Sequence, residues 1–146
     1  MSEENGDLAD DLSISDGEMV LRRVHPDLVK PETGQPDRSV FKNDPGGLGT
    51  SVTLWRSPSD LRLIIGGREK IGVVAITVGE ARAQGLRINF TNEDGNPNHC
   101  EIFGPRSKGK LGQLRACARW VVYPEGYPNE HRGQLFDLHN GTEEAK

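Results

Sequence analysis

Apolar positions fall into short runs separated by Pro, Gly, Asn and Asp, and the spacing inside each run predicts its element. Leu21 to His25 reads as a strand that Pro26 stops, because proline has no N–H to give a ladder. Residues 26–38 hold three prolines and a glycine and read as a loop. Ser39-Val40-Phe41-Lys42 reads as short and extended, and Asn43-Asp44-Pro45-Gly46-Gly47 as a turn. Thr50 to Trp55 is rich in β-branched and aromatic residues and predicts a strand. Ser57-Pro58 with Asp60 has the punctuation of a capping box, and Gly66-Gly67 supplies the stop, so a helix is expected over 58–65. Ile71 to Ile76 is a nearly continuous apolar run of strand length. Thr77 with Glu80 repeats the capping spacing, for a short helix over 78–84.

Leu86 to Phe90 alternates apolar and polar, as a half-buried strand does. Thr91 to Asn98 is a polar loop. His99 to Phe103 is a strand with Cys100 and Ile102 on one face and His99, Glu101 and Phe103 on the other. A last helix is expected over 108–122, with Leu111, Leu114, Ala118 and Val121 at helical spacing and Lys108, Arg115 and Arg119 on another face. Strands and helices intermix without regular βαβ repetition. The fold class expected is α+β, one small mixed sheet with about three helices packed against it.

Charge changes the picture at the ends. The 146-residue chain carries a formal charge of −4, but residues 19–124 hold sixteen bases and ten acids. The first 18 residues hold seven acids and no base. Such a segment buries too little surface to offset its chain entropy, so 1–18 is expected to be a disordered acidic tail. Residues 125–146 are expected to be a mostly disordered tail, which leaves 19–124 as the domain. Displacement of an acidic tail from a basic core by a polyanion or an acidic partner is one use of such a layout; ordinary solubility is the other. Two cysteines, neither in a CxxC pair, suggest neither a disulfide framework nor a zinc site. No secretory leader or membrane-length apolar run is present, so a cytoplasmic location, with no membrane partner, is the expectation. No cofactor and no metal are implied.

Candidate chemistry gathers at two histidines beside prolines. His25 follows Arg22 and Arg23, and strand parity places Arg23 on the face of His25 and Arg22 on the face of Val24. His99 ends the stretch Asn96-Pro97-Asn98-His99. An Arg–His pair can hold a phosphate or carboxylate, and two histidines can divide acid and base roles because the free imidazole titrates near neutrality. Cys100 reads as a small buried apolar residue. Pro45-Gly46-Gly47-Leu48-Gly49 lacks the Lys-Ser/Thr ending of a phosphate loop and reads as a turn.

Arg23-Val24-His25-Pro26, Ser39-Val40-Phe41-Lys42, Thr50-Ser51-Val52 and Asn96-Pro97-Asn98-His99, followed by Ala118-Arg119-Trp120-Val121, resemble a family of small uncharacterised bacterial proteins. That resemblance covers most of 20–124 and implies kinship rather than an activity. A fainter likeness is to ADP-ribosyltransferase-like folds, which would put Arg23, His25 and Ser39 at substrate-handling positions; the late catalytic Glu of those folds has no evident counterpart. Three functions follow as expectations. The first is an accessory or binding module that docks onto another protein. The second is an enzyme acting on a phosphate-containing substrate (a nucleotide, NAD or an RNA end) through His25, Arg23 and His99, with Ser39 binding substrate. The third is a nucleic-acid-binding module using Lys108, Arg115 and Arg119.

Overall fold

The computed structural model describes residues 9–45, 49–91 and 93–137. The expected Gly46-Gly47 turn, the first eight residues and 138–146 lie outside them. The elements are β1 (Met19–Val24), β2 (Thr50–Leu54), α1 (Pro58–Ile65), β3 (Gly72–Thr77), α2 (Val78–Ala83), β4 (Arg87–Phe90), β5 (His99–Phe103), α3 (Lys108–Cys117) and β6 (Arg119–Val122). Short 3-10 turns span Pro26–Leu28, Arg38–Phe41 and Asn129–His131. The strands form one six-stranded sheet in the order β4-β5-β2-β1-β3-β6. The fold is α+β as expected, with every pairing antiparallel rather than mixed.

Each face of the sheet carries its own core. On the first, Val20, Val24, Val52, Leu54 and Ile76 pack under α2, α3 and the 38–41 turn. On the second, Leu21, Val73, Ala75 and Trp55 pack under α1. β3 is covered on both faces, which is why its sequence is a continuous apolar run instead of an alternation.

Three expectations change. Ser39–Lys42 is not extended: Asp37 accepts from the Ser39 N–H and starts the 3-10 turn Arg38–Phe41, which buries the successive residues Val40 and Phe41 in one core, where a strand would point them to opposite faces. The last helix stops at Cys117, because Arg119-Trp120-Val121-Val122 is strand-forming and pairs with the free side of β3. The terminal segments are folded as far as they are described. Ile14 is fully buried in the first core, and the acids around it meet bases: Asp10 and Asp16 pair with Arg82, and Glu18 pairs with Arg56. Residues 125–137 add Tyr127, which is buried, and Phe136, which packs against Trp55 edge-on at 6.0 Å.

Both segments also close the sheet. Asp11 N–H donates to Ile88 C=O at 2.8 Å, and the Asp10 carboxylate accepts from Ile88 N–H at 2.9 Å, so the outer side of β4 is occupied. On the opposite edge, Phe136 N–H donates to Trp120 C=O at 2.8 Å. The loop after β1 is tied to the second closure, because Trp120 Nε1 and the Tyr127 hydroxyl both donate to Gly34 C=O at 2.8 Å. Gly34 has φ +74°, and a side chain there would collide with the Tyr127 hydroxyl.

Because Ile14 is a core residue, Ile14→Ala is expected to lower unfolding stability by about 2–5 kcal/mol. Urea denaturation followed by tryptophan fluorescence checks this, and a change below about 0.5 kcal/mol, typical of surface positions, would mean the segment is not packed.

Candidate binding cleft

β1 and β3 pair along all six residues of β1, whereas β1 and β2 pair only at Val20–Leu54 and Leu21–Thr53. Past Leu21 the two strands part, and Arg22 spans the gap. Its Nε donates to Val40 C=O at 2.9 Å and its Nη1 to Ser51 C=O at 2.8 Å. The same guanidinium grips Asp44 through Nη1 and Nη2, at 3.2 and 2.8 Å. Asp44 in turn accepts from Ser51 N–H at 2.8 Å. The backbone groups of Ser51 that a neighbouring strand would bond are therefore satisfied by two side chains. Burial pushes the Asp44 carboxyl up, but the hydrogen bonds from Arg22 and Ser51 outweigh it and hold the group below the ordinary aspartate value of 3.8.

The gap opens onto the second face of the sheet as a cleft of about 310 Å³. Leu21, Val52 and Thr53 line it from the strands, together with Arg23 from β1 and Ile64 from α1. Asp44 and Pro45 line it from the loop before β2. Glu93 and Asn96 line it from the 91–98 loop, and His99 from the start of β5.

That loop is held by neighbours that also build helices. The Asp60 carboxylate accepts from the N–H groups of Arg56 and Ser57 at the start of α1, at 2.9 and 3.0 Å, and its other oxygen accepts from Asn98 Nδ2 at 2.9 Å. Leu54 N–H donates to Asn98 C=O at 3.0 Å. Gly95, at φ +77°, makes the bend. Asn96 Nδ2 donates to Thr53 Oγ1 at 3.0 Å and to Glu93 Oε1 at 3.3 Å. A carboxylate only accepts, so the amide nitrogen faces Glu93, which leaves Asn96 Oδ1 buried with no hydrogen-bond partner among the described residues.

The His99 ring is oriented by the same logic. Nδ1 lies 3.1 Å from Thr91 C=O and 2.8 Å from Thr91 Oγ1. The carbonyl accepts only, so in the neutral form of the ring Nδ1 carries the proton and Nε2 the lone pair. Nε2 is buried without a hydrogen-bond partner among the described residues, 3.7 Å from Glu93 Oε2. Across the cleft, Arg23 is exposed, and among the described residues it reaches Ile64 C=O, at 3.5 Å. Desolvation, then the nearby charge of Arg68, lower its pKa, and the guanidinium remains a cation.

Of the residues singled out in the sequence, Arg23 and His99 line this cleft, and His25 and Ser39 do not. The His25 side chain is largely exposed beyond the end of β1, where Nδ1 accepts from Asp27 N–H at 3.1 Å and caps a 3-10 turn. Ser39 lies in the turn on the opposite face of the sheet. Lys108 and Arg115 sit on α3, but Arg119 is on β6 and forms a two-point ion pair with Glu80, at 3.0 and 2.6 Å. The expected three-residue basic stripe is therefore interrupted where the helix ends. Cys100 is buried in the first core, and burial pushes its thiol up to about 12, which suits a packing residue rather than a nucleophile. Among the described residues there is no cluster of three metal-ligating side chains and no helix long and apolar enough to cross a membrane. Asn96 announces itself by its place in the Asn-Pro-Asn-His stretch. Glu93 and Asp44 have no local signature, since each matters only through a residue far off in sequence. No family model, curated protein or solved structure matches this chain.

The Arg22–Asp44 clamp has a definite pH signature. The folded pKa of Asp44 is depressed, so its stabilisation is present above the unfolded value and disappears as pH falls through the folded one. Asp44→Asn is expected to cost about 1–3 kcal/mol near neutrality, the range for charge-assisted hydrogen bonds. The gap between variant and parent should close in urea titrations as the pH falls past the ordinary aspartate value and through the lower folded one, and a gap independent of pH would contradict the assignment.

Proposed function

We propose that this chain is a binding module that docks onto another protein, and that the cleft beside Arg22 is the docking site. The observation that carries the reading is the concentration of fixed, incompletely satisfied polar groups in one concave place. Arg23 offers donors on one side, and Asn96 Oδ1, His99 Nε2 and the Glu93 carboxylate offer acceptors on the other. Such a mixture suits a polypeptide segment, which carries both donors and acceptors along its length. The volume suits one side chain and its flanking backbone. Strand addition is disfavoured as a docking route, because Asp10 and Asp11 occupy the outer side of β4 and Phe136 bonds the outer side of β6.

The competing reading, catalysis on a phosphate-containing substrate, asks for Arg23, His25, Ser39 and His99 around one reacting atom. Two of these are outside the cleft, and the Glu93 carboxylate puts negative charge beside His99, where a phosphate would sit. The nucleic-acid reading is left with Lys108 and Arg115, because Arg119 is neutralised by Glu80.

Peptide display against the intact chain tests the docking reading. Peptides are expected to enrich, and their affinity should fall at least about tenfold on Arg23→Ala, or 1.4 kcal/mol. Lys108→Glu, on α3, should leave it unchanged. Failure to enrich any peptide, or equal binding to Arg23→Ala, overturns the reading.

A further inference from the structure

We infer that the inner wall of the cleft receives the ammonium group of a lysine side chain from the docked partner, held by Asn96 Oδ1, His99 Nε2 and the Glu93 carboxylate. This rests on the docking reading and names what the cleft selects. Asn96 and His99 are 7% and 6% exposed, and each has a lone-pair atom that no described residue bonds. The orientation of both groups is fixed from behind, by Glu93 and Thr53 for Asn96 and by Thr91 for His99. The side chains thus present acceptors, and an unmet buried acceptor costs about 1–3 kcal/mol, which a donor-bearing ligand recovers.

Charge selects the ligand further. Glu93 lies 3.7 Å from His99 Nε2, so a single nitrogen can stand within about 2.8–3.0 Å of both. An ammonium has three donors and no acceptor, which matches the three groups in number and sign. A carboxylate or phosphate at the same place would face a carboxylate and two lone pairs. Arg23, on the other side, is available to a carbonyl of the partner's backbone. Both acceptor atoms are buried, and the half-exposed Glu93 side chain lies beside His99 Nε2.

The test is an NMR titration of the full isotopically labelled chain with Nα-acetyl-lysine methylamide, alongside the norleucine and glutamate analogues. The lysine compound should give saturable shifts at the Asn96 side-chain amide and the His99 ring, and the other two should not. Glu93→Gln, at a half-exposed position, should weaken the lysine compound at least about fivefold, or 1 kcal/mol. Equal shifts from norleucine, no shift at Asn96 and His99, or an unaltered affinity in Glu93→Gln would each overturn the inference. Displayed peptides that depend on Arg23 but bind without lysine would sink this inference and leave docking standing. Lysine binding with no enriched peptide would sink the docking reading, and with it the assignment of the ammonium to a partner's side chain.

Discussion

The gap between β1 and β2 is held open and made stable by one guanidinium. Arg22 takes the carbonyls of Val40 and Ser51 and the Asp44 carboxylate, while Asp44 takes the Ser51 N–H. Without them the parted strands would leave polar backbone facing a partly buried space, at a cost of about 1–3 kcal/mol per group. The cleft follows from that arrangement: two central strands are prevented from zipping together, and the space on the second face is walled by whatever loops come near.

Helix starts supply the rest of the frame. The capping acid of α1, Asp60, reaches across to Asn98 and fixes the loop that carries Asn96 and Glu93. The capping acid of α2, Glu80, accepts from Thr77 N–H and also binds Arg119 on β6. Each carboxylate thus satisfies orphan N–H groups of its own helix and joins two distant parts of the chain. Arg106 does similar work without a carboxylate, donating to the carbonyls of Phe41 and Gly104 and to the Thr50 hydroxyl.

Local signals were enough for most elements and for the fold class. Capping boxes, apolar runs and glycine stops depend on neighbours in sequence, and they placed α1, α2 and five of the strands. β6 was hidden because Leu111 to Val121 happens to fit a helical stripe, and only the unpaired side of β3 decides for a strand. Residues 9–18 looked unfoldable by composition, since a single isoleucine and two arginine partners beyond position 50 secure them. Of the site, Arg23 and His99 were legible from parity and from the Asn-Pro-Asn-His stretch. Asp44 and Glu93 were not, because their roles come from contacts with Arg22, Asn96 and His99 that no spacing rule encodes.

The closure of β4 by Asp10 and Asp11 has a practical side. Anything fused to the amino terminus pulls on a segment held by Ile14 in the core, by Ile88 and by Arg82, and concentrated salt weakens its exposed Arg82–Asp16 pair. Once peeled away, that segment leaves the N–H and C=O of Ile88 bare, a template on which a second molecule can stack. Where a tag is attached and how much salt the buffer holds therefore act on the outer side of β4.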